Sequence, residues 1–133
     1  MEHIDELQIL NDAMDASNTA WWVMELPSGI IFFHENKIKN LGYNSKDIEK
    51  FTHYSSFTSL IHPDDYERVM KAMSDHLQGK TDHYEATYRI VAKDGTYHQH
   101  FDRGRIVARQ GDAMAESGIV VDIPDSYLIP PKK

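Results

Sequence analysis

Residues 84–97 constrain the fold more than any other stretch. Tyr84, Ala86, Tyr88 and Ile90 alternate with Glu85, Thr87, Arg89 and Val91, the period-two pattern of a strand with two distinct faces. Lys93-Asp94-Gly95 follows directly. An Asp-Gly pair between strands is among the strongest hairpin signals, because both residue types accept positive φ. The return strand is predicted from Tyr97 to about Ala108. Its apolar phase runs through Tyr97 and Phe101 and then moves to Ile106 and Ala108. A bulge at Gly104 accounts for that change. This phase assigns His98, His100 and Asp102 to the outer face.

The remaining elements follow from periodicity and turn chemistry. Ile4, Leu7, Leu10 or Asn11, and Met14 recur at helical steps, giving an acidic helix with one narrow apolar stripe. Two heptads do not separate a dimer seam from packing on the helix's own domain. Ala20–Leu26 and Ile30–Phe33 read as strands joined across Pro27-Ser28-Gly29. Short helices are predicted over 36–41 and from an N-cap at Ser45 to Ile48. Phe51, Phe57, Leu60 and Ile61 are expected as core anchors in a mixed segment. Pro63 with Asp64 and Asp65 opens the longest helix, whose apolar face is Tyr66, Val69, Met70, Met73 and Leu77. A loop over 110–113 and a last strand over 117–123 complete the order. The fold class is α+β: a five-stranded antiparallel sheet covered on one face by short helices and one longer helix, with an N-terminal flanking helix.

Composition narrows function by exclusion. A chain of 133 residues makes one domain. It has no cysteine, which removes disulfides, thiolate metal sites and any flavin–thiol adduct. Fourteen lysines and arginines against 21 acids leave a net charge of −7, which disfavours nucleic acid as a partner. No apolar run reaches the length of a membrane span, and the N-terminus is not a signal peptide. A soluble cytoplasmic domain with no membrane contact of its own is expected.

Seven motifs then occur in order. They are Trp22 with Leu26-Pro27-Ser28-Gly29; Leu41-Gly42-Tyr43; Ile61-His62-Pro63-Asp64-Asp65; Tyr84 to Ile90; Lys93-Asp94-Gly95-Thr96-Tyr97; Arg103-Gly104; and Gly118 to Ile123. Together they resemble the PAS/PAC sensory-box family over residues 18–123. Residues 1–17 are then a flanking, possibly dimerising helix, and 124–133 an irregular tail or linker. Three positions depart from the family pattern. His98-Gln99 stands where an Arg-Trp pair is usual, and Pro124 stands where Thr precedes an exit helix.

The resemblance implies a non-enzymatic sensory module that binds a small ligand or partner. Such a module switches an attached histidine kinase or GGDEF-type diguanylate cyclase, often as a homodimer through the N-terminal helix or the outer sheet face. Candidate pocket residues are Phe33, Ile38, Leu41, Phe57, Val69, Met73, Tyr88 and Phe101; a packed domain serving only dimerisation or docking is the alternative. His76 sits where haem-binding relatives place an axial ligand, but a lone helical His is weak support for haem. His98, His100 and Asp102 share a strand face and form a weak metal candidate lacking a fourth ligand. A small α+β enzyme using His62 with Asp64 or Asp65 is a third reading. It requires those groups to converge in a deep pocket.

Overall fold

The computed structural model describes residues 5–125. Ile4 of the predicted stripe and all but the first two residues of the tail lie outside them. The elements are α1 (Glu6–Ala16), β1 (Thr19–Leu26), β2 (Ile31–Phe33), α2 (Asn36–Lys39), a 3-10 helix (Ser45–Lys50), α3 (Ser55–Thr58), α4 (Pro63–Leu77), β3 (Tyr84–Val91), β4 (Tyr97–Gln110) and β5 (Ala113–Ile123). The strands form one antiparallel sheet in the order β2-β1-β5-β4-β3. The first and last strands therefore meet at its centre, and the helices between β2 and β3 cover its inner face.

Local chemistry explains each boundary. Asp5 caps α1 by accepting the Leu7 amide at 2.9 Å. The cap of the 3-10 helix is Asn44 and not Ser45. Asn44 and Asp47 form a reciprocal capping box, in which the Asp47 carboxylate accepts the Asn44 amide at 3.0 Å. Pro63 opens α4, and the His62 Nδ1 accepts the Asp64 amide at 3.0 Å. Gly95 closes the β3–β4 hairpin at φ 88°, where a side chain would be strained. Of the apolar face assigned to α4, Val69 is buried, while Tyr66 is exposed at the helix start.

The β3–β4 register corrects the sequence reading of β4. Ala86 pairs with Asp102, Tyr88 with His100 and Ile90 with His98. Directly opposed residues share a face, so the inward side of β3 carries its partners on β4 inward with it. His100, Asp102 and Gly104 face the core, whereas Tyr97 is exposed and Phe101 lies half-buried on the outer face. The bulge falls at Val107, between the Ile106 and Ala108 pairings, and not at Gly104. The predicted 110–113 loop shortens to a two-residue turn, Gly111-Asp112, and β5 begins at Ala113.

Asp65 ties α4 to the sheet. Its carboxylate accepts the Arg89 amide at 2.8 Å and the Arg89 guanidinium at 3.0 and 2.9 Å. The Arg89 hydrogen bonds hold the Asp65 carboxyl well below the usual carboxylate range. A carboxyl with a depressed folded-state pKa stabilises above the unfolded value, near ~4, and loses that contribution as pH falls. Asp65→Asn is expected to cost about 1 kcal/mol at neutral pH, since Arg89 is half-exposed and water screens the pair. Urea titrations of both proteins down to acid pH check this: the difference closes as the wild-type carboxyl protonates.

Candidate ligand-binding cavity

A cavity of about 380 Å³ lies between the inner sheet face and helices α3 and α4. Apolar side chains make most of its wall: Met24 and Ile31 from the first hairpin, Phe57 from α3, and Val69, Met70 and Met73 from α4. Its exposed lining residues, Tyr54, Ser74 and Gln78, mark the mouth. Of the residues predicted for the pocket, Phe57, Val69, Met73 and Tyr88 line this cavity. Ile38 and Leu41 are fully buried in the core but off the cavity wall. Phe33 stands edge-on to Phe57, with ring centroids 5.3 Å apart. Phe101 is on the opposite side of the sheet because of the reversed β4 phase.

One end of the cavity is polar, and sequence reasoning missed most of it. Asp102 is buried and accepts Trp22 Nε1–H at 2.7 Å on one oxygen and the Tyr88 hydroxyl at 3.1 Å on the other. Burial pushes the Asp102 carboxyl up, while Lys37, Trp22 and Tyr88 pull it back. Lys37, on the one-turn helix α2, is 4% exposed, and its Nζ sits 4.1 Å from the centroid of the Phe57 ring. Burial lowers the Lys37 pKa, and the Asp102 charge opposes that shift. Burial likewise raises the Tyr84 and Tyr88 hydroxyls, reinforced by Asp102, so both stay protonated donors. A lysine next to an apolar residue on a four-residue helix carries no pattern that marks it as buried.

Two histidine clusters sit off the cavity wall. His76 is buried, not at the surface. Its Nε2 lies 2.8 Å from Glu116 Oε1 and its Nδ1 lies 3.0 Å from the Thr81 carbonyl. Both ring nitrogens are engaged, which does not suit an axial haem ligand. Burial raises the Glu116 carboxyl against the pull of His76. His98 and His100 converge on Asp122 of β5, at 2.7 and 3.1 Å, and not on Asp102. Burial raises Asp122, but the bonds from His100 and His98 outweigh it and leave the carboxyl below its usual value. Burial lowers His100. Among the described residues no group of three or more His, Asp or Glu is placed to hold a metal ion.

The acid–base reading also fails on geometry. His62 serves as the α4 cap, Asp65 is held by Arg89, and the Asp64 side chain is 80% exposed. They sit at the α4 start, with Asp64 in solvent and Asp65 buried against Arg89, and do not converge in a deep pocket.

One antiparallel sheet with helices on one face and a cavity beneath defines a single-sheet α+β module with an internal cavity. The chain belongs to the PAS fold family, which its residues 30–120 match. It is 30% identical over 104 residues to the methyl sulfide methyltransferase-associated sensor of Methanosarcina acetivorans, an alignment covering 77% of this chain and 10% of that protein. The chain thus spans about a tenth of the length of this curated relative. A sensory box histidine kinase/response regulator from Burkholderia thailandensis superimposes with a TM-score of 0.71 at 24% identity, covering 93% of this chain and 88% of that one. The N-terminal domain of a diguanylate cyclase with PAS/PAC sensor from Marinobacter aquaeolei gives 0.69 at 20% identity, covering 82% and 98%. No helix among the described residues is long and apolar enough to cross a membrane.

Proposed function

We propose that this chain is a cytoplasmic, non-catalytic sensory module whose cavity binds a small molecule and whose flanking helix α1 passes occupancy to an attached output domain. A histidine kinase or a GGDEF-type diguanylate cyclase is the expected output, by likeness to the named neighbours. The cavity of about 380 Å³ with a polar end is the observation that carries this reading, since ligand sites are typically apolar spaces with a few placed polar groups.

The route outward runs through adjacent residues of α2. Lys37 lines the cavity, and Asn36 beside it donates to Asp15 of α1 at 2.8 Å and to the Thr19 carbonyl at 3.2 Å. A ligand that prefers one placement of α2 shifts the population of α1 positions, by a coupling of typically ~1–3 kcal/mol. A thermal-shift screen followed by amide exchange with the best hit tests this. Protection in α1 should change by about fivefold or more on binding, and Asn36→Ala should abolish the change. Unaltered α1 exchange in a filled cavity would sink the switch. An absence of hits would favour a packed module.

The homodimer belongs to the same proposal. Leu7, Leu10, Trp21, Phe32 and Ile119 are exposed on α1 and the outer sheet face, and exposed apolar groups in such numbers suit a second copy. Sedimentation velocity at about 100 μM, ample for a micromolar dimer, should show a dimer that Leu10→Glu or Ile119→Arg dissociates. A wild-type monomer at that concentration would remove this part.

A further inference from the structure

We propose that the cavity's ligand is a small carboxylate: a compact apolar body of roughly ten non-hydrogen atoms, by comparison with the ~30 Å³ that a water occupies, carrying one acid group seated on Lys37. This rests on the cavity being a sensing site.

Lys37 carries the argument. Its ammonium has three donors, yet among the described residues it makes no hydrogen bond and no ion pair; its neighbour is the face of Phe57, at 4.1 Å. A buried charge with only a ring face for company is underserved. Asp102 offsets its charge through space but does not complete it: no ion pair joins the two among the described residues, and the Asp102 carboxylate is held instead by Trp22 and Tyr88. The Tyr84 hydroxyl also lines the cavity and has no partner among the described residues. Lys37 brings only donors and the Tyr84 hydroxyl can donate as well, and a carboxylate supplies acceptors to match them.

The rest of the wall limits what accompanies the acid. Met24, Ile31, Val69 and Met73 offer nothing to a second charge. An amine would face Lys37 with like charge. A neutral amide would leave most of the lysine donors unmatched, since it brings one acceptor oxygen where a carboxylate brings two.

Isothermal titration of the chain with phenylacetate, phenylacetamide and phenethylamine tests the assignment. Phenylacetate should bind at least tenfold tighter than the amide, and Lys37→Met should remove that gap while the amide keeps its affinity. Equal binding of acid and amide, a gap that survives Lys37→Met, or a preference for the amine would overturn the carboxylate while leaving the cavity as a sensing site. Binding of none of the three would overturn the carboxylate, and the thermal-shift screen decides separately whether the cavity is a sensing site. A readout on the wild-type chain keeps the test independent of how the variant folds: the Lys37 side-chain resonances should move with phenylacetate and stay in place with phenylacetamide. Movement with both, or with neither, would count against the carboxylate.

Discussion

Asp102→Ala is expected to lose about 3–5 kcal/mol of folding stability, the range for removing one member of a buried charged network. Three groups are stranded at once. The Trp22 indole N–H and the Tyr88 hydroxyl lose their acceptor, each costing ~1–3 kcal/mol when left unpaired in the interior. Lys37 loses the one negative charge that opposes its desolvation. The effects overlap, so they do not add in full. Asp102→Asn should recover part of the loss, because its single carbonyl oxygen can still accept one of the two donors. Urea unfolding of the three proteins decides the matter. A loss below about 1 kcal/mol for the alanine variant would mean that the Trp22–Asp102–Tyr88 network is not formed in solution.

The same carboxylate shows where sequence reading ran short. The strand positions, the Asp-Gly hairpin, the Pro63 helix start and the two-faced alternation of β3 were all legible, because each has a local physical cause. The face of β4 was not read correctly. By size and apolarity Tyr97 and Phe101 read as buried, and by polarity His98, His100 and Asp102 read as exposed. The structure reverses this, since Trp22, Tyr88 and Asp122 supply partners from other strands, and burial of a polar group becomes tolerable once it is bonded. A signal was available in the hairpin itself. The short turn pairs even-numbered residues of β3 with even-numbered residues of β4, so an inward Tyr88 places His100 and its strand neighbours inward as well. Lys37 had no such signal, because only tertiary packing covers a residue on a four-residue helix. The cavity was half legible for the same reason: Phe57, Val69, Met73 and Tyr88 are residues the family resemblance implies for the pocket, while Lys37, Tyr84 and Asp102 depend on how segments distant in sequence align.

Gly118→Ala is expected to cost about 3 kcal/mol, the upper part of the range for overpacking, although the change adds one methyl group. Trp22 on β1, Gly118 on β5, Gly104 on β4 and Tyr84 on β3 lie in one row across the sheet. The two glycines bring β4 and β5 close and leave space over the sheet for the indole, which reaches Asp102. A Cβ on Gly118 would stand 2.0 Å from the Arg103 carbonyl oxygen and 2.6 Å from the Gly104 Cα. Those are backbone atoms of the paired strand, so no side-chain rotation relieves the contact and the two central strands must separate. Gly104→Ala meets the Trp22 ring at 2.7 Å and the Ser117 carbonyl at 2.8 Å, and should in addition pull the indole from Asp102. Gly111→Ala is the control: its φ is 60° but a Cβ there meets nothing within 4 Å. It should therefore cost only the left-handed backbone penalty, about 1 kcal/mol. Urea midpoints across the three variants separate the causes. If Gly118→Ala costs no more than Gly111→Ala, the paired strands β4 and β5 yield easily and the close approach of the two glycines is not what fixes their spacing.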